Sequence, residues 1–325
     1  MTVLVTGASG FIGGFLVEQL VARGYQIRCL VLEDAPLGYL SRLPVEIAFG
    51  DVRRPETLTE AVRGAEYIYH LAGVKSEWEE AIYFQVNYEG TKNLLNTCLR
   101  ENRKTKRFIY VSSQAAAGPS PDGRPITEED VCRPLNSYGK SKRAAEEYLK
   151  AHSREVPITI LRPSLVYGPR SPETRLVLDI LKWGFVPAIR HHNQCVNLIH
   201  VSDAVDGIIL AAEHERASCE IYFITSQECY TWKQIGEQFF RMRNEKGRVI
   251  PLPLGAIRLV TGMVRSYRKL TGQPFSLIDE KMSEVLQKHW VCSGEKAKRD
   301  LGFEPKIPLR KGAEETVHWY SELKQ

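Results

Sequence analysis

Within its first thirteen residues the chain passes from an apolar run, Thr2-Val3-Leu4-Val5, straight into Thr6-Gly7-Ala8-Ser9-Gly10-Phe11-Ile12-Gly13. Glycines spaced in this way at a strand-to-helix turn serve separate purposes. Gly7 permits the tight turn, Gly10 lets the backbone approach a pyrophosphate, and Gly13 lets the following helix lie close to the sheet. The unpaired N–H groups at that helix start then face the anion. Placed at the first such turn of a chain, the spacing predicts a dinucleotide cradle, with Gly7, Ser9, Gly10, Phe11, Ile12 and Gly13 as its contacts.

The rest of the first half keeps the same rhythm. Short β-branched or apolar runs at 25–31, 45–49, 66–72, 107–112 and 157–161 follow the strand at 2–6, and amphipathic segments at 11–23, 56–63, 82–101 and 138–151 alternate with them. That alternation predicts a Rossmann-type α/β fold, a doubly wound parallel sheet with helices on both faces. After Pro163 the pattern turns irregular, with Pro169, Pro172 and Pro187 ahead of helices at 202–213, 232–244 and 254–270. The expected division is a dinucleotide-binding domain over 1–165, which also receives segments from about 195–225, and a smaller, mostly helical substrate-binding portion over 166–325.

Composition narrows the function classes. In 325 residues, 43% hydrophobic and 26% charged, there is no bias toward disorder, and a net charge of +5 carried by interspersed residues does not call for nucleic acid. Seven cysteines show no C-x-x-C spacing and mostly sit among apolar neighbours, which points to a reducing cytoplasm and to no metal site. The N-terminus lacks a signal-peptide pattern, and no apolar run approaches the ~18 residues that a bilayer span needs. A cytoplasmic homodimer acting on a small molecule is the expected setting.

Tyr138 and Lys142 stand four apart at the head of an amphipathic segment capped by Asn136 or Ser137, and so share one helical face. A free tyrosine titrates near ~10, but a neighbouring ammonium favours the phenolate and makes the residue a proton donor or acceptor near neutrality. Ser112-Ser113 closes the strand before it.

These motifs together resemble the extended branch of the short-chain dehydrogenase/reductase family. The likeness runs through Thr6–Gly13, Gly50-Asp51-Val52, His70-Leu71-Ala72-Gly73, Asn87–Thr91, Ser113–Gly118, Tyr138–Lys142, Arg162-Pro163-Ser164-Leu165-Val166-Tyr167-Gly168-Pro169 and a C-terminal Ser293–Phe303 pattern. It implies an NAD(P) cofactor held also by Asp51, Val52, Leu71, Ala72, Gly73, Tyr138, Lys142, Pro163 and Val166. Ser113, Tyr138 and Lys142 are implied as catalytic. Taken alone, Asp51 reads equally as a turn residue and His70 as a strand-end histidine. Where many relatives carry Leu-Val-Arg after the second strand, this chain has Leu30-Val31-Leu32-Glu33-Asp34, which leans toward NAD unless Arg28 or Arg53 reaches the ribose.

Substrate class is read from one departure. Sugar-nucleotide members of the family commonly grip a diphosphate with an Arg; Val196-Asn197-Leu198-Ile199-His200-Val201 has Val196 there, and valine cannot neutralise a diphosphate. The apolar segment 252–270, edged by Arg258, Arg265, Arg268 and Lys269, reads as a lid over an apolar ligand that also touches a membrane surface, or as an ordinary packed helix. Lys75, Trp78, Gln114 and Tyr167 are the candidate substrate contacts. Three functions stay open: alcohol–ketone oxidoreduction on a hydrophobic substrate, nucleotide-sugar epimerisation or dehydration if Arg190 or Arg258 grips phosphate, and non-catalytic dinucleotide sensing. Ser202 or Asp203 is expected to cap the helix after His200.

Overall fold

The strands of the computed structural model run, in chain order, β1 Thr2–Thr6, β2 Gln26–Val31, β3 Glu46–Phe49, β4 Tyr67–His70, β5 Arg107–Val111, β6 Ile158–Pro163, β7 Leu165–Tyr167, β8 Phe185–Ile189, β9 Cys195–His200, β10 Ile221–Ile224, β11 Cys229–Tyr230, β12 Arg248–Leu252 and β13 His289–Trp290. Its helices are α1 Phe11–Ala22, α2 Thr59–Val62, α3 Glu80–Tyr83, α4 Gly90–Glu101, α5 Gln114–Ala117, α6 Ser137–Ala151, α7 Pro172–Leu181, α8 Val201–Glu213, α9 Trp232–Met242, α10 Glu295–Leu301 and α11 Leu309–Glu322. The structure describes residues 1–75, 79–189, 195–243, 247–253 and 287–322, with single positions at 255, 259, 262, 263 and 284.

Seven parallel strands form the main sheet in the order β10-β6-β5-β4-β1-β2-β3. Strand order reverses between β1 and β4, whose Thr6 and His70 lie side by side at their carboxyl ends. Such a reversal opens a crevice at the strand ends, where ligands bind in folds of this kind. One face is filled by Leu16 and Leu20 of α1 with Ile208 and Ile209 of α8, the other by Leu94 and Leu95 of α4 with Ala145 and Leu149 of α6. Helices cover both faces of the central strands, so these strands read as largely apolar runs.

Beyond β6 the chain is less purely helical than its proline pattern suggested. A small sheet forms around β9, with β7 and β13 parallel to it and β11 antiparallel, while β8 pairs with β12. A separate core of Leu178, Leu198, Ile235, Phe239, Phe240 and Leu309 sits under it.

Several local expectations need correcting. The helix expected over 82–101 is α3 and α4 joined by a π-turn over Phe84–Glu89. Neither Ser202 nor Asp203 caps α8. The His200 ring accepts from the Ser202 amide, and the Asp203 carboxylate turns away to accept from the amides of Lys306 and Ile307 at 3.0 and 2.9 Å. Cys195 and Cys229 are joined by a disulfide across the β9–β11 pair, so they depart from the small-core-residue reading that the buried Cys29, Cys98 and Cys292 follow. Trp78, Arg190 and most of 252–270 lie outside the described residues. Among those described, no helix is long and apolar enough to cross a membrane.

Candidate active site

The cradle is built from backbone contacts that exclude side chains. Gly7 has a φ of +71°, and a Cβ on it would meet the backbone of Leu71 and Ala72 at 2.7 Å. On Gly13 a Cβ would sit 2.1 Å from the Gly7 carbonyl oxygen, so α1 rests directly on the turn that precedes it. Gly10 is the N-cap in extended conformation and offers no side-chain acceptor, nor is there an acidic residue in the first turn. The first amides of this twelve-residue helix therefore point at an exposed rim formed by Ser9 and Gly10. A positive helix end with no internal anion is suited to a pyrophosphate. Tyr39, which sequence spacing did not single out, braces the turn by donating to the Gly10 carbonyl at 2.9 Å.

A buried histidine locks the neighbouring strand end to this turn. His70 contacts the Thr6 hydroxyl through Nδ1 at 2.7 Å and the Thr91 hydroxyl through Nε2 at 2.9 Å, and burial brings its pKa down to about 3. It is thus a neutral strut. Leu71 and Ala72 leave the sheet with their amides on the Thr6 carbonyl and hydroxyl, both at 3.1 Å, which carries Gly73 toward Lys142.

Asp51 and Val52 follow β3. Burial opposes ionisation of Asp51, but bonds from the Arg53 guanidinium and amide outweigh it and lower its pKa. Arg53 is therefore turned onto Asp51. Arg28 bonds Glu46 and the carbonyls of Glu60, Ala61 and Arg63, so both cations named as candidates for a ribose phosphate are already engaged.

The proton-transfer cluster forms where α5 and α6 touch. Asn136 caps α6 by accepting from the Gly139 amide at 2.9 Å, and a Cβ on Gly139 would lie 2.4 Å from the Ala115 carbonyl. This close approach brings Ser113, the cap of α5, into hydrogen bonding with the Tyr138 phenol. Burial raises the phenol's pKa; the Lys75 ammonium and Ser113 pull it down, and the carboxylates of Glu284 and Glu173 push it up.

Lys142, expected as the ammonium acting on the phenol, is buried with Nζ on the Val111 carbonyl at 3.0 Å and 4.8 Å over the Tyr110 ring, and desolvation brings its pKa to about 8. The Lys75 ammonium also bears on Tyr138 and lowers the phenol's pKa.

Residues that spacing missed support this cluster. Asn87, on the π-turn, clasps Val74 through its amide and carbonyl at 2.8 and 3.0 Å and donates to Ser141 at 3.0 Å. A π-turn widens the helix locally and re-aims such a side chain. Below Lys142, Glu146 and Arg162 form a buried ion pair at 2.6 and 2.9 Å, with the Ser112 hydroxyl on Glu146 at 2.7 Å. The four-residue step from Lys142 to Glu146 was the available signal for it.

The remaining candidates scatter. Lys75 pairs with Glu173 at 3.0 Å. Gln114 is 1% exposed, and neither of its amide atoms has a hydrogen-bond partner. Tyr167 turns its ring into the second core against His200 and Gly312. Pro163 ends β6 in buried surroundings and Val166 lies half-buried opposite Ile199. Val196 is buried in the second core.

A reversing parallel sheet, an uncapped glycine turn and a Ser-Tyr-Lys cluster at the adjoining strand ends define an extended short-chain dehydrogenase/reductase. The chain belongs within it to the NAD dependent epimerase/dehydratase family, whose description matches residues 3–224. A ceramide reductase of Caulobacter vibrioides is 30% identical over 319 residues, with 98% of this chain and 94% of that protein covered. A 3-beta-hydroxysteroid dehydrogenase of Mycolicibacterium neoaurum is 28% identical, covering 99% and 92%. In fold, the UDP-glucose 4-epimerase of Thermotoga maritima superposes with a TM-score of 0.81 at 24% identity over the whole of both chains.

Proposed function

We propose that the protein is an NAD(P)-dependent oxidoreductase interconverting a secondary alcohol and a ketone on a hydrophobic substrate of the steroid, flavonoid or acyl-ketone kind. The observation that carries the reading is the convergence of Ser113, Tyr138 and Lys142 beside the uncapped turn at Gly7–Gly13. The names of the ceramide reductase and the hydroxysteroid dehydrogenase support it.

Gly7, Ser9, Gly10, Phe11, Ile12 and Gly13 would hold the pyrophosphate, Asp51 and Val52 the adenine end, and Leu71, Ala72, Gly73, Lys142, Pro163 and Val166 the nicotinamide half. The bound dinucleotide supplies hydride exchange at the carbinol carbon. Ser113 holds the substrate oxygen by hydrogen bonding. Tyr138 takes the hydroxyl proton as phenolate in oxidation and returns it as phenol in reduction. With Arg28 and Arg53 engaged and Glu33 and Asp34 exposed nearby, NAD is preferred over its phosphorylated form.

The apolar-substrate reading draws on Val196, since a diphosphate at that position would meet a packed apolar core. Residues 1–165 as the dinucleotide domain, 166–325 as the substrate portion, a homodimer and surface contact through 252–270 belong to the same proposal, as does a cytoplasmic setting, against which the Cys195–Cys229 disulfide weighs. Competition binding with UDP, UDP-glucose and a steroid or long-chain ketone tests it. Displacement by the apolar ligands alone is expected; micromolar UDP-sugar binding with no response to them would transfer the assignment to an epimerase.

A further inference from the structure

The connection from β7 to α7 folds back on itself. The Ser171 amide bonds the Gly168 carbonyl at 3.3 Å, and Arg170 inside this turn holds a φ of +66°, a region that residues with a side chain seldom enter. Such a conformation persists where the surroundings over-determine it. The Arg170 guanidinium donates to both carboxylate oxygens of Glu18, on α1, at 2.8 and 3.1 Å, and lies over two rings, 4.5 Å from the centroid of Phe15 and 4.7 Å from that of Tyr39. A planar two-point pair stacked on aromatic faces is a contact that suits arginine and not lysine.

Tyr39 carries this hold to the glycine turn. Its hydroxyl donates to the Gly10 carbonyl at 2.9 Å and reaches the Ala8 carbonyl at 3.3 Å. Gly14 leaves the surface of α1 bare where the hydroxyl rests, 1.7 Å from where a Cβ would stand. A planar trans peptide directs its N–H away from its C=O. Fixing the Gly10 carbonyl therefore aims the Phe11 amide out of the helix end, and a bond on the carbonyl polarises the N–H across the same peptide. The Ala8 carbonyl does the same for the Ser9 amide. Ser9 and Phe11 are both residues that the proposed cradle turns toward the pyrophosphate.

We infer that Arg170 is a positioning residue for the cofactor: stacked on the Tyr39 ring and anchored by Glu18, it keeps the Tyr39 hydroxyl on the Gly10 carbonyl and so sets the aim of the Ser9 and Phe11 amides. This rests on the reading of Gly7–Gly13 as the dinucleotide cradle. With its charge met by Glu18, Arg170 acts through Tyr39 and not as a phosphate ligand. Dinucleotide affinity thereby depends on a residue of the connection between β7, in the small sheet, and α7, and not on the main sheet alone. Arg170 and Glu18 are both part-exposed, which leaves room to replace them without opening the core.

The test uses the full chain with NAD as the probe, dissociation constants from titration calorimetry, and urea midpoints to establish that each variant is folded. Tyr39→Phe, which removes the hydroxyl and keeps the ring, is expected to raise the NAD dissociation constant about three- to tenfold, the range of one lost hydrogen bond. Arg170→Met is expected to weaken NAD by a similar factor. Arg170→Lys, which keeps the charge and loses the planar two-point hold, should fall between Arg170→Met and the wild type, and it carries the comparison if Arg170→Met does not fold. Because both residues act through one hydroxyl, Arg170→Met placed in the Tyr39→Phe background should add less than about twofold. Unchanged affinity in Tyr39→Phe or in the Arg170 variant overturns the proposal, and so does a double variant whose factors multiply, which would make Arg170 a direct phosphate contact. A wild type that binds NAD no better than its variants leaves the cradle standing and removes Arg170 from it, whereas a wild type that binds no NAD brings down the cradle reading itself and this inference with it.

Discussion

Acid should weaken this fold through one residue more than through its other histidines. His70 is fully buried between Thr6 and Thr91, and its pKa falls from 6.5 to about 3 because no solvent reaches the imidazolium. A depressed pKa means that folding favours the neutral ring. The stability it contributes is present above pH 6.5 and is lost as the pH falls toward 3, where the unfolded chain binds a proton that the folded chain refuses. At about 1.4 kcal/mol per pH unit, the loss between pH 7 and pH 5 is about 2 kcal/mol. The assay is urea unfolding at both pH values for the wild type and for His70→Gln, whose amide keeps a donor and an acceptor but does not titrate. The variant starts lower, but its drop from pH 7 to pH 5 should be about 2 kcal/mol smaller than that of the wild type. Equal drops in the two proteins would refute the neutral, buried strut.

Tyr138→Phe is expected to leave NAD affinity nearly intact and to cut turnover by about 10²–10⁴-fold, since the ring still packs but passes no proton; more than half of wild-type kcat would remove Tyr138 from the mechanism. Lys142→Ala should weaken both turnover and NAD binding, as measured by titration of cofactor fluorescence, because the side chain that would reach the ribose also satisfies the Val111 carbonyl. Arg162→Leu leaves the buried Glu146 carboxylate with only Arg143 and the Ser112 hydroxyl as partners and should cost about 3 kcal/mol of stability, the low end for breaking a buried pair, read from the shift in unfolding midpoint. Pairing it with Glu146→Leu should recover much of that loss.

The parallel sheet and the glycine turn were legible in the sequence because each rests on local geometry, as does the shared face of Tyr138 and Lys142, while Ser113 was named only through the family resemblance. Gly7 and Gly13 stand where a Cβ would collide with backbone, and a four-residue step places Tyr138 and Lys142 on one helical face whatever surrounds them. Burial on both faces also writes itself into the strands as apolar runs. Tertiary structure alone decided which charges meet. Lys75 and Glu173 are far apart in sequence, and Arg28, Arg53 and Lys142 each had several partners open to them until the fold closed. Helix periodicity says which side a residue faces, but the acidity of a phenol depends on distances of a few ångströms between segments that the chain brings together last. For the same reason Val196 could be read as a missing cation from its motif, yet only the packed core around it shows that the position is dry.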